Sequence, residues 1–135
     1  MKNLDSGFNV KNIVLAESSF YRLPKLSFGE EVNNVFDINV EVAIDGKIIT
    51  VYETVALIQK FQDVEQFKFI VKMIGVFECT GESQITDFDE FGKINGAAII
   101  FPYIREYVTN ISLRAGIGTI ILPPINFTKM EKRND

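Results

Sequence analysis

From Phe36 to Ile44 every second residue is apolar: Phe36, Ile38, Val40, Val42 and Ile44 alternate with Asp37, Asn39, Glu41 and Ala43. A period of two places the two sets on opposite faces of an extended chain, which specifies a half-buried antiparallel strand. Asp45-Gly46 follows directly. That dipeptide suits a type I′ hairpin, whose two central residues both need positive φ. A turn centred there sets Ile44 against Lys47, Val42 against Ile49 and Val40 against Val51, which keeps apolar residues opposite apolar ones. The chain must therefore build a sheet with one polar face and one apolar face, and must cover the apolar one.

The neighbouring segments extend this sheet. Phe8 to Tyr21 carries the run Ile13-Val14-Leu15-Ala16, whose β-branched residues favour a strand. An irregular stretch, Leu23 to Gly29, follows, broken by Pro24 and Gly29 yet apolar at Leu23, Leu26 and Phe28. The strand returning from the hairpin is expected from Lys47 to about Ile58, then a polar connection from Gln59 to Gln66. A fourth strand is expected from Phe67 to about Cys79, with Phe67, Phe69, Val71 and Met73 on one face and Lys68, Ile70, Lys72 and Ile74 on the other.

After an acidic stretch, Thr80 to Phe91, the period changes. Ile100, Ile104, Tyr107, Val108, Ile111 and Ala115 recur at spacings of three and four, which marks one face of a helix opening at Asn95 or Gly96. Gly116 suits the position just past its end, and Arg114 suits the last turn. Pro102 should kink this helix or mark its first turn. Ile117 to Phe127 is apolar and cannot be helical at Pro123-Pro124. The order of strands, then a helix, then an apolar loop predicts an α+β fold in a single domain over residues 1–135, with residues 1–7 and 128–135 flexible.

Composition removes most chemistry. The chain has no His and a single Cys, Cys79, so it can carry no His-based triad or dyad, no His-ligated metal, no internal disulfide and no paired-cysteine zinc site. Cys79 falls in a strand pattern and reads as a buried, inert thiol. Asp87-Phe88-Asp89-Glu90-Phe91-Gly92 resembles the start of a calcium loop, but the fifth and twelfth positions are Phe91 and Ala98, which supply no side-chain oxygen. It reads as a solvated acidic loop. Gly116-Ile117-Gly118 follows a helix and lacks a third glycine, so it is no nucleotide loop. Glu53, Glu78 and Glu106 lie near apolar residues, where an edge or paired charge is the ordinary reading. The net charge of −4 argues against nucleic-acid binding. The N-terminus has no apolar signal-like run, and no stretch approaches the ~20 apolar residues needed for a bilayer span. The expectation is a cytoplasmic, non-enzymatic protein without cofactor, metal or membrane insertion.

What remains is apolar surface beyond the needs of one sheet and one helix: the Leu23–Phe28 loop, the second face of the Phe67 strand and the Ile117–Phe127 segment. It can close an oligomer or bind extended apolar segments of other chains. A small-molecule carrier with a pocket between sheet and helix is a further alternative, without a catalytic constellation to support it.

Two segments carry a resemblance. Phe101-Pro102-Tyr103-Ile104-Arg105-Glu106, then Gly116 followed by Ile120-Ile121-Leu122-Pro123-Pro124-Ile125-Asn126-Phe127, resemble the SecB family of export chaperones. The match is specific over this last part of the chain and agrees elsewhere in element order. It implies a four-stranded antiparallel sheet followed by one long helix, assembled as a tetramer, a dimer of dimers with the long helices between dimers. It implies an ATP-independent holdase for unfolded polypeptides, including preproteins handed to SecA. Leu23, Leu26, Phe28, Ile120, Leu122, Ile125 and Phe127 would then line the client-binding groove, and Tyr103, Tyr107 and Ile111 would lie at the oligomer interface.

The resemblance has one departure. Family members carry a second helix after the Asn-Phe pair and then an acidic tail that docks on SecA. Here Thr128 to Asp135 follow, with Lys129, Lys132 and Arg133, which reads as a frayed tail too short for a stable helix. That removes one wall of the groove and the tail contact with SecA. It brings forward two alternatives, a dedicated chaperone of an antitoxin and an interaction subunit whose apolar surface is all interface.

Overall fold

The computed structural model describes residues 7–80 and 87–133. Four strands, β1 (Phe8–Arg22), β2 (Val32–Asp45), β3 (Ile48–Phe61) and β4 (Val64–Cys79), form one antiparallel sheet in the order β1-β4-β3-β2. β2, β3 and β4 run as consecutive hairpins, and the Leu23–Glu31 crossover returns β1 to the far side of β4. β1 is an edge strand with two register breaks, between Val10 and Asn12 and between Leu15 and Glu17. β2 is the other edge.

The first hairpin turns one residue later than its sequence suggests. Gly46 and Lys47 form the turn, Ile44 pairs with Ile49, Val42 with Val51, and Val40 with Glu53. Only Gly46 has positive φ (61°), the signature of type II′ rather than type I′. A II′ turn asks one residue for that conformation, and glycine supplies it, whereas I′ would also force Asp45 there. A slip of two residues leaves every side chain on its face, so the alternation could not have distinguished the two registers.

The second hairpin is tighter than expected. The stretch Gln59–Gln66 is not a loose connection: β3 runs to Phe61, β4 begins at Val64, and only Gln62 and Asp63 turn, with φ of 52° and 64°. Polar residues at these strand ends do not break the ladder, because their side chains find partners. Gln59 Nε2 donates to Asn34 Oδ1 at 3.0 Å, and Gln66 Nε2 donates to Gln59 Oε1 at 3.1 Å.

The helix also begins earlier. Asp87 caps α1 (Phe88–Phe91), its Oδ1 accepting from Glu90 N at 3.0 Å. A π-helical turn (Gly92–Gly96) leads into α2 (Ala97–Arg114), and the junction residues stay in right-handed helical conformation, so one rod runs from Phe88 to Arg114. Asp87 to Gly92 is thus a helix start and not a solvated loop. Asp serves as an N-cap because its carboxylate satisfies a free amide of the first turn. Lys93 pairs with Asp89 at 3.2 Å, one turn back. Pro102 lies inside α2, beyond its first turn and exposed. The rod ends in a Schellman arrangement: Gly116 (φ 69°) donates to Leu113 O at 3.2 Å, and Ile117 N donates to Ser112 O at 3.2 Å.

The rod lies on the apolar face of the sheet. Ala97, Ile100, Phe101, Ile104 and Val108 are buried against the inward rows of β3 (Ile49, Val51, Val55, Leu57) and β4 (Phe67, Phe69, Val71, Met73, Phe77). The approach is close because glycine stands at three contacts. A Cβ at Gly92 would meet Val42 Cγ2 at 2.8 Å, one at Gly96 would meet Val51 Cγ2 at 2.9 Å, and one at Gly75 would meet Ile100 Cδ1 at 2.6 Å. The first half of the rod is thus set close on the sheet.

A short helix, α3 (Phe127–Arg133), occupies the place where a frayed tail was expected. Asn126 Oδ1 accepts from Lys129 N at 3.1 Å, and Phe127 is buried edge-on against Phe101 with ring centroids 5.8 Å apart. The length limit for helices applies to isolated segments. Here capping and an anchored aromatic supply the nucleus.

Candidate functional site

The apolar residues left over by the sequence gather on one side of the domain. A cleft of about 430 Å³ runs between the crossover after β1 and the segment after α2. Its floor is Phe36 (β2), Leu57 (β3) and Phe67 (β4); Phe28 stands on one rim, and Ile117, Ile120, Ile121, Leu122 and Pro123 form the opposite wall. Asn34 and Gln59 are its polar lining, and no charged side chain lines it. Phe28 and Ile121 are 70% and 73% exposed, so the rim presents two large apolar side chains to solvent.

Both walls are irregular backbone, yet both are pinned. On the crossover side, Leu23 N donates to Gln66 O at 2.8 Å, and Gln66 Nε2 donates to Ser27 O at 2.9 Å while its Oε1 accepts from Ser27 N at 2.5 Å. Arg22 spreads three donors over three carbonyls: Nε to Leu23 at 2.9 Å, Nη1 to Ala115 at 2.5 Å and Nη2 to Pro24 at 3.1 Å. One guanidinium thus joins the end of β1, the crossover and the end of α2. On the other side, Thr109 Oγ1 donates to Ile120 O at 2.6 Å, and the buried Ser112 Oγ accepts from Ile120 N at 3.1 Å. Helix α2 holds the wall by both the amide and the carbonyl of one residue, Ile120.

A second cleft, about 600 Å³, shares Phe36 with the first and continues past the edge of β2 to α3. Ile38, Ile125 and Met130 give it an apolar lining, with Asp37, Asn126 and Lys129 among its residues.

The residues singled out from the sequence divide. Phe28, Ile120 and Leu122 line the first cleft, and Ile125 lines the second. Leu23 and Leu26 are half-buried and do not line either; Leu26 packs on the core, and Leu23 is tied down by its amide. Phe127 is core, with its ring against Phe101. Of the helix residues, Tyr103 is exposed, Ile111 packs on the core, and Tyr107 Oη is 2.7 Å from Ser18 Oγ within the same chain. The floor residues Phe36, Leu57 and Phe67 were not singled out. The alternation put them inward, where Leu57 and Phe67 are buried and Phe36 half-buried; that they also meet at one cleft depends on how three strands and the segment after α2 come together.

The cleft offers no reactive chemistry. Cys79 is buried, and burial pushes its thiol up, against a smaller opposing effect of Lys47. Among the described residues no cluster of acidic or cysteine side chains is placed to hold a metal. Of the three glutamates beside apolar residues, Glu106 is exposed and Glu78 half-buried, while Glu53 is fully buried without a partner. No helix among the described residues is long and apolar enough to cross a membrane.

Comparison with known proteins agrees with this architecture. The family model for the preprotein translocase subunit SecB matches residues 4–134. A protein-export protein SecB of Polaromonas sp. is 26% identical over 138 residues, covering 95% of this chain and 87% of that one. An uncharacterised protein of Methanocaldococcus jannaschii is 36% identical over 85 residues, 63% of this chain and 54% of its own length. The Methylobacillus flagellatus protein-export protein SecB is 30% identical over 89 residues, 66% of this chain and 56% of its own length. Against these last two the chain spans about half of the relative. A solved structure of a SecB-like chaperone from Mycobacterium tuberculosis, in complex with a peptide from the HigA1 antitoxin, superposes with a TM-score of 0.75 at 16% identity, covering 88% of this chain and 91% of that one. The chain belongs to the SecB family, and the four-stranded sheet with one long helix is its fold.

Proposed function

We propose that this SecB-family chain is an ATP-independent holdase that binds unfolded polypeptide segments in the cleft between Phe28 and Ile121. The single observation that carries the reading is that cleft: uncharged, floored by Phe36, Leu57 and Phe67, and rimmed by two side chains more than two-thirds exposed. Burying apolar area there yields roughly 25 cal/mol per Å², without nucleotide or covalent chemistry. Aromatic side chains give large contact area with few rotors to order, so varied segments bind with modest affinity. Several clefts in an assembly, engaged by one long client, multiply that affinity. The assembly proposed is a homo-oligomer, a tetramer built as a dimer of dimers, with preproteins as clients and SecA as a possible receiver.

A second reading has its own support. A SecB-like chaperone of the same fold is solved with an antitoxin peptide bound, so a dedicated antitoxin client is the alternative. An interaction subunit with closed apolar surface is the third.

Aggregation of a chemically unfolded preprotein on dilution, with and without the protein and without ATP, tests the proposal. Suppression at near-stoichiometric assembly is the expected result. Absence of suppression, together with tight binding of one antitoxin segment, would favour the dedicated role. Absence of both would leave the interaction subunit.

A further inference from the structure

Glu53 is an ionisable residue buried completely on the face of the sheet that α2 covers. It stands in the inward row of β3 between Val51 and Val55, and its cross-strand neighbours are Val40 on β2 and Met73 on β4. The same core contains Ala97, Ile100, Phe101, Ile104 and Val108 of α2. Neither carboxyl oxygen has a hydrogen-bond partner. The inward rows on either side, Ile38 to Val42 and Val71 to Gly75, offer no ionisable group, and Cys79 lies at the far end of the β4 row. On α2, Tyr103, Glu106 and Arg114 are exposed, Tyr107 is engaged with Ser18, and Arg105 makes no ion pair with Glu53. Lys93, in the π-helical turn, pairs with Asp89.

We propose that Glu53 is a proton-linked weak point in the contact between the sheet and α2: the folded chain holds its carboxyl neutral, and loss of that proton loosens α2 over Ile100 and Ile104. An ionised carboxylate in an apolar, unpartnered site is far costlier than the neutral acid. Consistently, burial pushes the carboxyl up from 4.5 to about 8. The helix is the part that yields. β3 is hydrogen-bonded to β2 and β4 along its whole length, whereas α2 is held on this face of the sheet by side-chain packing. Water reaches the carboxylate by the side that opens.

The sign follows from linkage. The unfolded chain releases this proton near 4.5 and the folded chain near 8, so between those values folding takes up a proton. The contribution of Glu53 to stability is greatest below the lower value, falls as pH rises between the two, and levels off above the upper one.

The test uses the full chain and Glu53→Gln, unfolded by denaturant at about pH 5.5 and about pH 9. The wild-type folded-to-unfolded ratio is expected to drop a few hundred-fold (roughly) more than that of the Gln variant. Parallel dependence in the two proteins would overturn the proposal. Should the variant not fold, carbon-detected titration of the wild-type Glu53 carboxyl decides: a midpoint near 8 supports the proposal, and one near the ordinary carboxyl value overturns it. Amide exchange at Ile100 and Ile104, corrected for base catalysis, should lose protection through the same range; unchanged protection would contradict the loosening of α2.

Discussion

Gln66 holds Ser27 by both ends of one side-chain amide: Nε2 donates to the Ser27 carbonyl at 2.9 Å, and the Ser27 amide donates to Oε1 at 2.5 Å. Gln66 is a strand residue and Ser27 lies in irregular backbone, so this pair turns a loop into a fixed rim beside Phe28. Gln66→Leu leaves the amide and carbonyl of Ser27 without these partners. It should cost about 1–3 kcal/mol in denaturant unfolding, with faster amide exchange at Ser27 and weaker client binding. Unchanged exchange at Ser27 would show that the rim is held by other contacts.

Phe28 and Leu26 should separate binding from stability. Phe28 is mostly exposed on the cleft rim, so Phe28→Ser should change unfolding free energy by less than ~0.5 kcal/mol while reducing client affinity. Leu26 packs on the core outside the cleft, so Leu26→Ser should cost about 1–3 kcal/mol. Denaturant titration beside a binding assay on both variants reads the contrast.

Ser112 should report on the opposite wall. Its hydroxyl donates to Thr109 O at 2.8 Å and accepts from Ile120 N at 3.1 Å. Ser112→Ala strands the Ile120 amide, at a cost of about 1–3 kcal/mol. Amide exchange at Ile120 should rise most. A uniform rise across α2 would mean the substitution acts on the helix and not on the wall.

Gly96→Ala tests the close approach of the rod. The added methyl would sit 2.9 Å from Val51 Cγ2, with Phe77 Cε2 at 3.3 Å, so rod or sheet must shift. Overpacking of this kind costs about 1–3 kcal/mol, although alanine is the better helix former. Thermal or denaturant unfolding measures it, and a stabilised variant would contradict the packing described.

The parts of the fold legible in the sequence are those fixed by local pattern. The alternation from Phe36 to Ile44 and the spacing from Ile100 to Val108 each name one face of one element: Ile100, Ile104 and Val108 are buried, and Phe36, Ile38, Val40 and Val42 are half-buried against the core, while Ile44 at the strand end is exposed. The hairpin register was not legible, because faces repeat every two residues and the choice between turns rested on one glycine. Gln59–Gln66 misled because polar side chains usually mark loops, whereas Gln59 and Gln66 satisfy one another, Asn34 and Ser27. Asp87 was read as part of an acidic loop because capping and calcium-loop patterns share the same residues. For the candidate site, Phe28, Ile120 and Leu122 were found through their place in apolar irregular segments. Phe36, Leu57 and Phe67 were not, since an inward residue on a strand looks the same whether it lies under a helix or at the floor of a cleft. Glu53 was noticed as a carboxylate among apolar residues, but its lack of any partner is a tertiary fact.

The central claim is that the cleft itself captures extended apolar segments. Fluorescence anisotropy of a labelled, unstructured peptide rich in aromatic residues, titrated without nucleotide with the wild-type chain and the Phe28→Ser/Ile121→Ser variant, tests it most directly. The account expects saturable binding by the wild type and at least a roughly tenfold loss in the variant, equivalent to about 1.4 kcal/mol, with both proteins equally folded. Equal affinities in the two proteins, or no saturable binding by the wild type, would contradict it.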